Sequence, residues 1–231
     1  MSAASPCRSG LSSSPAATGP PSRPADVAVE EGGRPVRDLR VSAFAAGSGP
    51  VDAAVVLALD ASESMTGAPG RAALAAARAF VAERGGRRVG LIAFNSTVRV
   101  LAAPAAGAGA LRRALDRPPA LAYGTRIADA LDSALTLLDG AGVASGTVVL
   151  LSDGRDVGSV GTVAGAVARA AAMHVRVFTV GLRSGVYDPA TLRGIAAGTG
   201  GAYAEATSPG VLAPIYTELG RRLAREVVVR W

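Results

Sequence analysis

A chain of 231 residues with a formal net charge of +6 and 49% hydrophobic residues can bury a sizeable core, yet none of its apolar runs reaches the roughly 20 residues of a membrane helix. A single cysteine, Cys7, and a single histidine, His174, exclude an internal disulfide, a thiolate cluster and a zinc site built from several imidazoles. All 24 basic residues are arginine, which removes the lysine of a Walker phosphate loop; scattered arginines with only 4% aromatics also make a poor nucleic-acid surface.

Residues 1–25 are rich in Ser, Pro, Ala and Gly and are expected to be a disordered tail, with Cys7 an inert thiol inside it. The same stretch has no apolar block behind its first charges, so it does not read as a secretory signal. Taken as written, the chain is expected to be cytoplasmic. Residues 26–50 have another texture. Val27 and Val29 alternate with polar neighbours, "EGGRP" signals a turn, and "LRVSAF" alternates again, which predicts a hairpin or linker. A lone hairpin is marginal in water and needs a partner sheet.

From Val51 the pattern becomes regular. "AAVVLAL", "RVGLIAF", "GTVVLLS" and "VRVFTVG" are short apolar runs of the kind that suits strands covered on both faces of a parallel sheet, with His174 expected at the start of the last as a structural imidazole. Helical patterns lie between them. Ile127, Ala130, Leu131, Ala134, Leu135 and Leu138 form one apolar stripe after Thr125; Leu212, Ile215, Tyr216, Leu219 and Leu223 form another; Leu74, Ala77, Phe80 and Val81 give a third within Arg71–Arg84. The triplet "NST" joins two apolar runs too closely for a helical crossover, so Val98–Leu101 is expected to return as an antiparallel edge strand. The product is an α/β fold over about 51–225: a mostly parallel central sheet with helices on both faces, followed by a strand-like tail at 226–231.

In such sheets ligands sit beyond the carboxyl ends of the strands. Asp60 ends the first run, Ser62 and Ser64 follow on its loop, Asp153 ends "TVVLLSD", and Thr125 opens the amphipathic helix. Two carboxylates and three hydroxyls, with no nitrogen or sulfur, suit a hard cation: magnesium first, manganese or calcium as alternatives. Two carboxylates only balance a divalent charge, which leaves an open position for a partner's Asp or Glu. Arg126 and Arg155 flank two of these residues and would make the rim attractive to that carboxylate. The blander assignment makes Asp60 and Asp153 loop caps, Thr125 a helix cap and both arginines solvated charges.

"LDASESM", "YGTRIADAL" and "LLSDGRD", in that order, resemble the von Willebrand factor type A (VWA) domain, in its bacterial form. The resemblance covers about Val51–Arg225 and implies a three-layer, Rossmann-like fold. It also implies a complete metal-ion-dependent adhesion site (MIDAS) of Asp60, Ser62, Ser64, Thr125 and Asp153, and a non-catalytic, adhesive role. Glu63 departs from the glycine that bacterial members often carry there and is expected to point to solvent, on the ligand rim. Asp156 is expected to serve a turn or helix start. The preceding "VAVEEGGRPV" resembles the close of a small β-sandwich found before bacterial A domains. This implies a fragment of a larger surface or membrane-anchored protein.

Three functions compete. The first is a protein-binding module that holds a partner's acidic side chain through magnesium. The second is an assembly part docking on an AAA-type ATPase or on a secretion or pilus apparatus. The third, a metal-assisted hydrolase, lacks its motifs: there is no G-x-S-x-G elbow, and the first strand ends D-x-S rather than the D-x-D of aspartate-nucleophile phosphatases. The chain is therefore expected not to be an enzyme.

Overall fold

The computed structural model describes residues 10–13, 27–31, 34–36, 40–43, 53–185 and 187–230. In chain order the elements are β1 (Gly10–Ser13), β2 (Val27–Glu31), β3 (Arg34–Pro35), β4 (Arg40–Ala43), β5 (Ala53–Asp60), α1 (Ala68–Glu83), β6 (Arg88–Phe94), β7 (Val98–Ala102) and α2 (Gly107–Leu115). They continue with α3 (Ile127–Gly140), β8 (Ser145–Ser152), α4 (Val163–Ala172), β9 (Arg176–Leu182), α5 (Pro189–Gly198), β10 (Tyr203–Ala206), α6 (Leu212–Ala224) and β11 (Val227–Arg230).

Six strands make the main sheet, in the order β10-β9-β8-β5-β6-β7. Every neighbouring pair is parallel except β6–β7, where the three residues 95–97 leave no room for a crossover and the chain turns straight back. The central strand β5 is buried along its whole length, and its side chains alternate between two cores. Val55, Leu57 and Leu59 pack with residues of α1, α2 and α6. Ala54, Val56 and Ala58 pack with residues of α3, α4 and α5. This two-residue period is why a continuous apolar run reads as a strand clothed on both faces. On the first face α1 and α6 lie tight together: the Phe80 and Tyr216 rings meet edge to face at 6.4 Å, and a Cβ on Gly220 would come within 2.9 Å of Glu83 Cβ.

Several elements differ from the sequence expectation. "LRVSAF" does not form the second arm of a hairpin. β2 pairs instead with the two-residue β3 across "EGG" and with β1 on its other side, while β4 pairs antiparallel with β11. The alternation in β4 was visible; its partner nearly two hundred residues away was not. Part of the expected tail, Gly10–Ser13, is strand β1; Cys7 lies outside the described residues. His174 does not begin β9. It sits exposed in the preceding turn with a left-handed φ of 54°, and the strand starts at Arg176.

At the amino end of the sheet an ionic clamp closes the domain. Glu226, just past α6, holds Arg176 at 2.7 Å with one oxygen and Arg87 at 3.3 Å with the other. The Arg87 side chain is only 3% exposed, so its charge sits in the protein rather than in water.

Candidate metal centre

The order of strands reverses at the β5–β8 seam: the chain builds β6 and β7 on one side of β5, then β8, β9 and β10 on the other. Loops leaving β5 and β8 must therefore part in opposite directions, opening a crevice at their carboxyl ends. Asp60 is the last residue of β5, and Asp153 follows the last residue of β8. Both are buried, at 3% and 2% exposure.

A third loop, 116–126, closes the crevice and is stitched to both neighbours. Ala122 N–H donates to the Ala61 carbonyl at 3.2 Å, and Thr125 exchanges two backbone hydrogen bonds with Val157 at 3.1 and 2.9 Å. Asn95 pins it from below, donating to the Ala61 and Ala120 carbonyls at 3.3 and 3.0 Å while its own carbonyl accepts from Arg126 N–H at 3.1 Å. Gly124 makes the approach possible. Its φ is +94°, and a Cβ there would meet the Ser96 backbone at 3.1 Å.

Side chains complete the arrangement. Ser62 and Ser64 hydroxyls lie 2.9 Å apart, and Ser64 donates to Asp153 Oδ1 at 3.0 Å. Asp60 Oδ1 accepts from Ser62 N–H at 2.8 Å, and Asp60 Oδ2 from the Ser152 hydroxyl at 2.6 Å. Ser62, Ser64, Thr125 and Asp153 line one cleft of about 290 Å³, together with Glu63, Tyr123 and Arg155. Asp60 stands behind it, in the wall of an adjoining cleft. Burial, reinforced by the neighbouring Asp153 charge, pushes the Asp60 carboxyl up to about 6, against hydrogen bonds from Ser152 and Ser62 that favour the anion.

One atom tests whether a cation fits. Asp153 Oδ2 is buried and has no hydrogen-bond partner among the described residues. An orphaned carboxylate oxygen beside two serine hydroxyls and a threonine is costly unless something positive meets it. The donors are all oxygen, as a hard divalent ion requires. No group of three or more His, Cys, Asp or Glu that could hold a metal occurs among the described residues; the candidate set has two carboxylates, and its other three donors are hydroxyls.

Helix capping does not account for Thr125. The N-cap of α3 is Arg126, with no side-chain cap bond, and the Ala128 N–H is met by Asp156 Oδ1 at 3.0 Å from the loop after β8. Asp156 thus serves a helix start, though of α3 rather than of its own segment. Glu63 and Arg155 are exposed on the cleft wall. Arg126, expected on the rim, does not line the cleft. It pairs with Asp129 at 3.5 Å, and its Nε is buried near Gly158. Ser152 escaped the sequence reading. It is fully buried and orients Asp60, and its only signal was its place immediately before Asp153.

Residues 55–155, which contain Asp60, Ser62, Ser64, Thr125 and Asp153, match the family model of the von Willebrand factor type A domain. No curated protein matches the chain in sequence. Among solved structures, a von Willebrand factor type A protein from Catenulispora acidiphila superposes with a TM-score of 0.66 at 20% identity, covering 81% of this chain and 49% of that one. Proximal thread matrix protein 1 from the mussel byssus, in a structure with a zinc-occupied MIDAS motif, gives 0.66 at 15% identity, over 84% and 50% of the two chains. The von Willebrand factor domain of a type V pili tip protein from Porphyromonas gingivalis gives 0.61 at 14% identity, over 74% and 94%. The chain thus spans about half the length of the first two. At these identities the likeness is one of fold. Taken with the sheet order, it establishes a Rossmann-like α/β fold of the kind seen in von Willebrand factor type A domains.

Proposed function

We propose that the chain is a divalent-metal-dependent protein-binding module, with Ser62, Ser64, Thr125 and Asp153 as direct ligands and Asp60 as the buried carboxylate that supports them. The observation that carries this reading is Asp153 Oδ2, buried without a hydrogen-bond partner among the described residues, on a cleft also lined by Ser62, Ser64 and Thr125. The two carboxylates supply two negative charges, enough to neutralise magnesium but not to saturate it. When bound, the ion supplies an electrophilic position suited to one more anionic oxygen, that of a partner's Asp or Glu. Ser64 holds Asp153 in place through its hydrogen bond, and Ser152 and Ser62 hold Asp60. Arg155 on the cleft wall favours an incoming carboxylate, and exposed Glu63 restrains how many negative charges the partner brings. The zinc-occupied MIDAS of the mussel protein supports the ability of this fold to hold a divalent ion.

Calorimetric titration with magnesium and with manganese is the test, on the wild-type chain and on Asp60→Ala. Saturable binding at one site, lost in the variant and with chelator, is expected. Identical titrations for the two proteins would remove the mechanism.

A further inference from the structure

The loops beside the cleft carry more than a purely ionic contact calls for. Six large hydrophobic side chains are exposed among the described residues, and four of them, Leu121, Tyr123, Val157 and Val160, lie on the two loops beside the candidate metal centre. Tyr123 is 74% exposed, Leu121 41% and Val157 39%. Exposed apolar residues scattered singly need no explanation; a concentration around one polar centre does. Nor are these side chains on loose loops. Leu121 and Tyr123 flank Ala122, which is bridged to the β5 loop, and Val157 is bridged to Thr125 by two backbone hydrogen bonds. Asp129 accepts from Val160 N–H at 3.1 Å and Gly161 N–H at 3.0 Å, tying the rest of that loop to α3. The ring is pre-ordered, so a partner need not meet the entropy of arranging it.

Leu121 lines a second cleft rather than the first. The second cleft, about 200 Å³, runs between the start of α1 and loop 118–121, and its walls are mostly apolar, Leu59, Met65, Leu74 and Pro119 among them. Asp60 belongs to its lining, which places an apolar recess directly beside the ionic centre. Resting on the metal-dependent reading above, we propose that the partner is a protein segment whose Asp or Glu is flanked closely by large apolar side chains. One of these fills the recess beside Leu121, and the others cover Tyr123 and Val157. An apolar collar of this kind excludes water from the carboxylate contact and strengthens it, as a polar hot spot is strengthened inside a dry rim.

The test selects random heptapeptides displayed on phage against the full chain in magnesium, with elution by EDTA. The expected enrichment is an Asp or Glu with a large apolar residue within two positions. A synthetic consensus peptide should then bind about tenfold more weakly to Tyr123→Ser and to Leu121→Ser, each with unchanged magnesium affinity. Acidic peptides with glycine or polar neighbours, or peptides indifferent to both variants, would overturn the collar while leaving the metal reading intact. Absence of magnesium binding by the wild type would overturn both. Magnesium-dependent self-association abolished by Tyr123→Ser would make a second copy the occupant and overturn the foreign segment.

Discussion

The two ends of the main sheet handle buried charge in opposite ways. At the amino end, Glu226 spends both oxygens on two arginines, and the buried Arg87 is matched to a carboxylate. At the carboxyl end, Asp60 and Asp153 are both buried and, among the described residues, are held by hydroxyls and one N–H, with Asp153 Oδ2 left without a hydrogen-bond partner. The first arrangement serves the folded chain alone. The second carries a desolvation cost that an added positive charge would offset, as the proposed binding site requires and a structural ion pair does not.

The largest expected effect breaks the carboxyl end. Asp153→Ala should abolish magnesium binding, and with it the rise in melting temperature that saturating magnesium gives the wild type. The metal-free variant should melt at or above the wild type, because a like charge beside Asp60 is gone. A metal-free variant that melts well below the wild type would show that the pair is structural after all.

Breaking the amino end should do the reverse. Glu226→Ala strips Arg87 and Arg176 of a shared carboxylate and should lower stability by about 2 kcal/mol, measured by urea unfolding, with magnesium affinity unchanged. Equal losses of stability and metal affinity would mean that the two ends are coupled through the sheet.

Acidity offers a milder probe. The Asp60 carboxyl is raised to about 6 in the metal-free fold, above its ordinary 3.8, so the folded chain holds this proton more tightly than the unfolded one. Below pH 3.8 both states are protonated and burial carries no charge penalty. Between 3.8 and 6 the unfolded chain releases the proton first, and metal-free stability declines as pH rises; above 6 the decline from this group ends. Since a metal favours the anion, magnesium affinity should climb about tenfold per unit as pH rises toward 6 and then level off. Calorimetry across this range should find proton release on binding at pH 5.5 and little at pH 7.5. Flat affinity would detach Asp60 from the site.

The smallest effect guards against over-reading partnerless atoms. The Tyr216 hydroxyl is also buried with no partner among the described residues, yet it lies in the α1–α6 core, away from any cleft lined by the candidate ligands. Tyr216→Phe should gain about 1 kcal/mol in thermal unfolding and leave magnesium binding untouched.

Much of this was legible from residue order because the informative signals are local. Asp60, Ser62 and Ser64 share five residues at the end of an apolar run, and Asp153 ends another, so strand direction alone carries them to one edge. What was missed depends on distant partners. β10 is only "YAEA", without an apolar run, and becomes a strand by pairing with β9. Helices α4 and α5 are short and rich in alanine and glycine, so their stripes lack contrast against the polar face. Arg126 is the exception, since its partner Asp129 lies only three residues on and the pair was open to a local reading.

The β4–β11 ladder sets how tension would travel through the molecule. Ala43 lies opposite Val227 and Arg40 opposite Arg230, so the chain leads into the α/β domain and out of it at adjacent points. Pulling on the outer ends of the two strands loads their cross-strand hydrogen bonds one pair at a time, from Arg40–Arg230 inward, and the sheet that carries the candidate site stays slack until the last pair opens. Under such a load this ladder would act as a mechanical fuse, yielding before the far end of the sheet loses its geometry.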